Sequence, residues 1–198
     1  MTRMTTEQRP ACAAVCLRPV RLTDWPTIHE WARRPDVTQY QDWGPNRAVE
    51  TRAYVLAAIE AAGELPQARH VLSVVQSDRV VGLVELTITD PGSGIAEVGY
   101  AMHPDVWGRG VATAAARLAV GFAFDRLAVH VVRATCDTAN FASVRVLEKL
   151  GMQLEQTIPH HIWLGSRWRD TYVFSLRAAE RVTELAMDRA TAELVAAP

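Results

Sequence analysis

The chain has 198 residues, which is enough for one domain with a substantial buried core. Its hydrophobic share is 49%, its charged share is 22% and its formal net charge is −1, so nothing in the composition suggests bulk binding to nucleic acid or to an anionic membrane. The odd number of cysteines gives no disulfide framework, and no apolar run is long enough to cross a bilayer. We therefore expect a cytoplasmic protein with no nucleic-acid partner and no membrane partner.

The first half of the chain contains two amphipathic helices and three strands. Ile28, Trp31 and Ala32 repeat at helical spacing after Asp24, which can act as an N-cap. Residues 1–14 contain no apolar segment of the signal-peptide kind, so we expect a flexible N-terminal tail. The predicted elements are a strand at 15–20, helices at 24–34 and 48–62, and strands at 70–76 and 80–88.

The second half alternates strands with helices. Its predicted elements are strands at 95–102 and 131–136, helices at 110–126 and 140–150, and a hairpin built from 152–161 and 171–176. Such an order is typical of a mixed sheet with helices on both faces, so we predict an α/β (α+β) fold in one domain, 15–177. Residues 178–198 form a predicted helical extension that could pack on the domain, pair with another subunit in a homodimer, or fray.

The strand at 95–102 carries one carboxylate on an otherwise small face. Alternation places Glu97 on the face that it shares with Gly99 and Ala101, while Tyr100 and Met102 lie on the opposite face. A ligand could approach the backbone closely on the small face. Alternatively, the small residues only allow a helix to pack nearby, and Glu97 is a charge at the sheet edge.

A glycine-rich loop, 108–110, joins this strand to the next helix. Glycines let the backbone approach an anion, the free amides of the first helical turn point at it, and Thr113 could add a hydroxyl. A Rossmann motif would require an acidic residue at the end of the next strand, but 129–133 contains none. A Walker motif would require a lysine after its glycine, which is also missing. The loop therefore predicts an anion site outside these two classes.

Four stretches, in this order and at these distances, resemble the GNAT N-acetyltransferases. They are 96–100, 103–113, 140–151 and 168–172, and the resemblance extends over about 17–176. The chain is most similar to the branch that contains ribosomal-protein-alanine and small-amine acetyltransferases. The resemblance implies a GNAT-like sheet of about seven strands in which two adjacent parallel strands splay apart. It also implies acetyl-CoA as the co-substrate and no metal.

The resemblance further implies where the co-substrate binds. The pantetheine arm would pair with the backbone near Tyr100 to Met102, and the pyrophosphate would lie on the amides from Trp107 to Ala112. Asn140 and Ser143 would contact the arm or the thioester, whereas Arg145 either reaches a phosphate or lies on a solvated helix face. The expected contacts are Tyr100, Ala101, Met102, Trp107, Gly108, Arg109, Gly110, Val111, Ala112, Thr113, Asn140, Ser143 and Arg145.

The implied reaction is acetyl transfer to a primary amine, by direct attack in a ternary complex. A protonated amine cannot attack a thioester, so a base must first remove its proton, and Glu97 is the expected base. A backbone amide near Met102 would stabilise the oxyanion. Many relatives protonate the departing thiolate with a tyrosine at the position of Leu147, so Ser143 or water is left for this role. The expected catalytic residues are Glu97, Ser143 and Asn140.

The acceptor, a small amine or a protein N-terminus, is expected among the first two helices, the turn at Asp42 and Trp43, and the hairpin loop at 160–167. Acidic residues there would suit a cationic amine, and tryptophans would provide an apolar wall unless they belong to the core. These residues are Asp36, Asp42, Glu50 and Glu97, with Trp25, Trp31, Trp43, Trp163 and Trp168. The alternative function is a non-enzymatic acyl-CoA-binding module, which only the missing tyrosine favours.

Overall fold

The structure is a computed structural model that describes residues 15–90 and 92–180. Within these ranges one mixed sheet has seven strands in the order β1-β2-β3-β4-β5-β7-β6, and five α-helices pack on it. The predicted α/β fold with a mixed sheet of about seven strands is thus confirmed. The strands are β1 (Cys16–Pro19), β2 (Arg69–Gln76), β3 (Arg79–Asp90), β4 (Ile95–Met102), β5 (Val131–Asp137), β6 (Gln153–Trp163) and β7 (Trp168–Arg177). The helices are α1 (Trp25–Ala32), α2 (Pro35–Thr38), α3 (Ala48–Ala61), α4 (Val111–Arg126) and α5 (Phe141–Lys149).

The two faces of the sheet are covered by different helices. Helices α1 and α3 pack on β2 and β3 around Ile28, Trp31 and Val55, all at most 2% exposed. Helix α4 lies on the opposite face, where Ala115 and Ala119 are fully buried and let the helix approach the strands closely. Helix α5 packs on the same face as α4, against β5. The helices therefore lie on both faces, as predicted.

The parallel strands β4 and β5 separate after a short pairing. They are paired only from Ile95 and Val131 to Glu97 and Arg133. Beyond that point β4 stays paired with β3 as far as Met102, and β5 stays paired with β7 to its end. The facing edges thus diverge, and this divergence is the splay that the GNAT resemblance implies.

The structure differs from the predicted elements by one additional helix and by the ends of several others. Residues 35–38 form the additional short helix α2, which Pro35 begins, at a position where proline is well tolerated. The last hairpin is longer than predicted, because Trp163 and Trp168 pair across the strands with their ring centroids 5.5 Å apart. The predicted tail at 1–14 and the part of the predicted extension at 181–198 lie outside the described residues. No helix in the described ranges is long and apolar enough to span a membrane.

Candidate active site

Two cavities open at the gap between β4 and β5. One has a volume of about 520 Å³ and is lined by Trp31, Trp43 and Tyr54, and we call it the aromatic cavity. The other has a volume of about 400 Å³ and reaches Gly108 and Gly110, and we call it the loop cavity. The two cavities share four lining residues, which are Gln41, Gly99, Tyr100 and Ala101. They therefore meet at the splayed part of β4.

The glycine loop leaves the first turn of α4 open to a ligand. Gly108 and Gly110 have φ angles of +71° and +78°, and a Cβ atom at either would meet nothing within 4 Å. Gly110 is the N-cap of α4 and provides no capping side chain, so the amides of the first turn are left for an anion. Every predicted contact except Arg109 lines the loop cavity, while Arg109 is exposed beside it.

The edge of β4 that faces the gap presents a row of backbone donors. The amide of His103 donates to the carbonyl of Val81 at 2.8 Å, which makes these two residues a hydrogen-bonded pair of the β3–β4 ladder. Because such pairs alternate along antiparallel strands, the amides of Tyr100 and Met102 point away from β3 and into the gap. Trp107 closes the end of this edge, since its Nε1 donates to the Met102 carbonyl at 3.0 Å.

Glu97 lies at the start of the gap, in the aromatic cavity. Its Oε1 accepts a hydrogen bond of 3.0 Å from Thr135 Oγ1 on β5. Gly99 and Ala101 line the same cavity, in agreement with the predicted small face, and a Cβ at Gly99 would meet nothing within 4 Å. Among the described residues no cationic side chain lies within 4.0 Å of the Glu97 carboxylate, so this carboxylate is left for a ligand.

A second carboxylate in the aromatic cavity, Glu85, is already engaged. Arg69 Nε donates to it at 2.6 Å and Tyr54 OH also donates at 2.6 Å. Burial favours a higher pKa for Glu85, but the hydrogen bonds from Arg69 and Tyr54 outweigh it and lower the pKa. Burial also raises the pKa of Tyr54. Sequence reasoning missed this cluster, although a glutamate on the Glu97 face of an otherwise apolar strand was a usable signal.

The start of α5 brings hydroxyl groups into the loop cavity. Asn140 caps the helix, with its Oδ1 accepting from the Ser143 amide at 3.1 Å. Ser143 Oγ lies 2.9 Å from Tyr100 OH, which is itself buried enough to have a raised pKa. Burial likewise raises the pKa of the nearby Cys136 thiol to about 11. Leu147 is 1% exposed and belongs to the core.

The elements expected around the acceptor contribute unequally. Trp31 and Trp43 line the aromatic cavity, whereas the hairpin loop at 160–167 contributes no lining residue to either cavity. Asp36 lines the loop cavity, where Arg34 pairs with it at 2.7 Å. The other expected acceptor residues, Trp25, Asp42, Glu50, Trp163 and Trp168, line neither cavity. No cluster of three or more His, Cys, Asp or Glu side chains within 15–90 and 92–180 could hold a metal ion.

Residues 14–153 match the family model described as the acetyltransferase (GNAT) domain. The chain belongs to the GNAT acetyltransferase family. The predicted resemblance is therefore confirmed, and the chain is an N-acetyltransferase of the GNAT type.

Individual GNAT proteins are similar to this chain over most of its length. The N-acetyltransferase p20 of Bacillus licheniformis is 27% identical over 165 residues, which are 83% of this chain and 93% of p20. The spermidine N(1)-acetyltransferase of Escherichia coli (strain K12) is 26% identical over 81% of this chain and 84% of its own. The solved structure of RimL, a ribosomal L7/L12 α-N-protein acetyltransferase in complex with coenzyme A, has a TM-score of 0.78. RimL is 17% identical, and the match covers 86% of this chain and 98% of RimL. The two proteins therefore share the same fold.

Proposed function

We propose that the protein transfers an acetyl group from acetyl-CoA to a primary amine held beside Glu97. The observation that carries the proposal is the meeting of two cavities at Gly99–Ala101, one with an open helix N-terminus and one with a free carboxylate. The similar Escherichia coli protein acts on spermidine and RimL on a protein N-terminus, so amine acceptors of both sizes are candidates. Both described cysteines, Cys16 and Cys136, are free thiols, which suits the cytoplasmic location that we also propose.

The loop cavity has the donors that acetyl-CoA requires. The amides of Val111, Ala112 and Thr113 would hold the pyrophosphate, because they lie at the positive end of a 16-residue helix and have no capping side chain. The amides of Tyr100 and Met102 would pair with the pantetheine arm as a neighbouring strand does. Acetyl-CoA supplies the activated acetyl group, and the chain supplies the positioning.

Side chains on either side of the gap would carry out the proton transfers. Thr135 holds Oε1 of Glu97, so the Oε2 atom is left to accept the proton of an amine in the aromatic cavity. A gap-facing amide of β4 that does not pair with the arm would donate to the acetyl oxygen as negative charge develops on it. Ser143, whose hydroxyl is hydrogen-bonded to Tyr100, would donate to the leaving sulfur in place of the tyrosine that Leu147 replaces.

Glu97→Gln tests the proposal. We expect kcat to fall by roughly 10²–10⁴-fold with the affinity for CoA unchanged, because the amide cannot accept the amine proton. Release of free thiol from acetyl-CoA with a panel of amines gives kcat, and calorimetry gives the affinity. The control is Glu30→Gln, which removes an exposed carboxylate that lies on α1 and lines neither cavity.

Two results would contradict the proposal. One is an unchanged kcat in Glu97→Gln. The other is a wild-type protein that binds CoA tightly but acetylates no amine in the panel. The second result would favour a non-enzymatic acyl-CoA-binding module, the function that Leu147 in the core also favours.

A further inference from the structure

Arg169, near the start of β7, is a buried guanidinium. Its relative exposure is 5%, and it lines the loop cavity. Its Nη1 donates to the Tyr40 carbonyl at 3.4 Å, a long hydrogen bond, and its buried Nε has no partner among the described residues. Because burial of a charged group is costly unless it is paired, a guanidinium held in this way points to a missing anionic partner.

The carboxylates that line the same cavity as Arg169 are paired with other arginines. No Asp or Glu side chain in the described ranges lies within 4.0 Å of its guanidinium. Asp36 in the same cavity pairs with Arg34, and Asp137, which is 1% exposed, pairs with Arg167 and accepts from the Ala139 amide. The protein therefore supplies the cation, and the anion is left to a ligand.

Arg169 lies on the face of the sheet that carries Glu97. Register pairs Thr171 with Asp137 and Glu97 with Arg133, and alternation puts Arg169 and Thr171 on the same face of the sheet as Glu97. The side chain lines the loop cavity together with Cys136 and Asp137 of β5. Its charge opposes the larger effect of burial, which raises the pKa of Cys136. The glycine loop, by contrast, lies where β4 leads into α4.

Thr171 adds a second polar atom on this face. It is fully buried, it lies two residues further along β7, and its Oγ1 has no partner among the described residues. A guanidinium fork with a free Nε is the geometry that binds a carboxylate with parallel hydrogen bonds.

We infer that Arg169 binds a carboxylate carried by one of the two substrates. The inference rests on the proposed function, in which an acyl donor in the loop cavity, or an acceptor that extends into it from the aromatic cavity, would bring a carboxylate to Arg169. The carboxylate would be either the free end of a dicarboxylic acyl group on CoA or the α-carboxylate of an amino-acid-like acceptor. The recognition chemistry is the same in both cases.

Paired ligands in which a methyl group or a carboxamide replaces the carboxylate distinguish the two sources. In the first arm, calorimetry compares butyryl-CoA with succinyl-CoA on the wild-type protein. In the second arm, protein saturated with CoA is titrated with phenylalanine and with phenylalanine amide. We expect one carboxylate-bearing ligand to bind roughly tenfold to hundredfold more tightly than its partner, as for hydrogen bonds to a charged group. The arm that shows the preference identifies the carrier.

Variants then assign the preference to Arg169. Arg169→Gln should abolish it and leave the affinity for the ligand without the carboxylate within about threefold. Arg177→Gln removes an exposed arginine from the same strand and should retain the preference. If Arg169→Gln does not fold, Arg169→Lys is expected to keep a weaker preference, because the charge remains but the fork does not.

Three outcomes would overturn the inference. They are the absence of a preference in both wild-type arms, a preference that Arg169→Gln retains, and an equal loss of affinity for CoA, butyryl-CoA and succinyl-CoA, which would assign Arg169 to a phosphate. Binding is measured without turnover, so a failure of the proposed function would show separately, as absence of thiol release from the wild-type protein.

Discussion

Two glutamates face the aromatic cavity, but their surroundings prepare them for different roles. Arg69 and Tyr54 occupy both oxygens of Glu85, so this carboxylate fixes the wall of the cavity. Glu97 has one hydrogen bond, from Thr135, and lies at the mouth of the strand gap. A carboxylate that is to accept a proton must have a free oxygen, and among the described acidic residues of this cavity Glu97 meets that requirement.

Glu85→Gln should lower the free energy of unfolding by about 1–3 kcal/mol at pH 7, because it leaves Arg69 in a half-buried site without its carboxylate. The pKa of Glu85 is lowered in the folded state, so its stabilising effect is complete above the ordinary glutamate pKa of about 4.3. As pH falls through the lowered folded-state pKa, the effect disappears. Urea unfolding of wild type and variant from pH 7 to pH 3 measures this difference.

The control for Glu85 is Glu30→Gln, whose side chain is exposed and lies 3.6 Å from Arg79. Its unfolding free energy should follow that of the wild type across the same pH range. If the difference in unfolding free energy between Glu85→Gln and wild type stayed constant down to pH 3, the lowered pKa of Glu85 would contribute nothing to stability.

Residue roles that depend on local alternation could be predicted from the sequence, and those that depend on distant contacts could not. The small face of Glu97, Gly99 and Ala101 follows from the period of one strand. The burial of Arg169 depends on Tyr40, 129 residues away in sequence, and the Glu85 cluster joins three separate elements. No spacing within one segment predicts such contacts.

At the scale of elements, the turn into α4 can be tested against another turn that contains a glycine of similar φ angle. Gly110 and Gly165 both have positive φ angles, +78° and +80°, and a Cβ at either would meet open space. Gly110→Glu and Gly165→Glu should therefore carry the same backbone strain, roughly 1–2 kcal/mol. Only Gly110→Glu places a carboxylate at the open end of α4, so it should abolish CoA binding by repulsion of the phosphates.

Calorimetric titration with CoA measures both glycine variants. Gly165→Glu, in the turn between β6 and β7, should retain the wild-type affinity. An unchanged affinity of Gly110→Glu for CoA would show that the pyrophosphate does not bind at this loop. An equal loss of affinity in both variants would show that misfolding causes the loss.

The types of the larger elements follow from hydrophobic periodicity, while their ends follow from tertiary contacts. The predicted helix at 110–126 and the strand at 95–102 agree with α4 and β4 within a residue. The last hairpin was predicted too short, because its extension rests on an aromatic pair that forms only when the strands are in register. The splay itself came from the family resemblance, since apolar periodicity does not report where two strands stop pairing.

At the scale of the whole molecule, the pairing between β4 and β5 is the shortest in the described part of the sheet. It has three residue pairs, whereas β5 and β7 have seven. A CoA arm that pairs with the gap-facing amides would bridge the two parts of the sheet. We expect CoA to slow hydrogen exchange of the amides of Tyr100 and Met102 and of the first turn of α4, as measured by mass spectrometry.

The edge strand β6 provides the internal comparison for this exchange experiment. It lies at the far side of the sheet and lines neither cavity, so its exchange should not change on CoA binding. Uniform slowing over all strands would indicate global stabilisation without a specific bridge, and slowing confined to β6 would contradict the assigned site.

The absence of a side chain at Gly99 leaves the aromatic cavity and the loop cavity connected. This residue lines both cavities and leaves its Cβ position open, so no side chain at this position separates the loop cavity from the aromatic cavity. If acyl donor and amine bind as proposed, a longer acyl chain would reduce the volume of about 520 Å³ that the aromatic cavity offers to the amine. Proteins of this kind with longer acyl donors would then accept smaller amines, and a larger residue at position 99 would separate the two cavities and weaken this dependence.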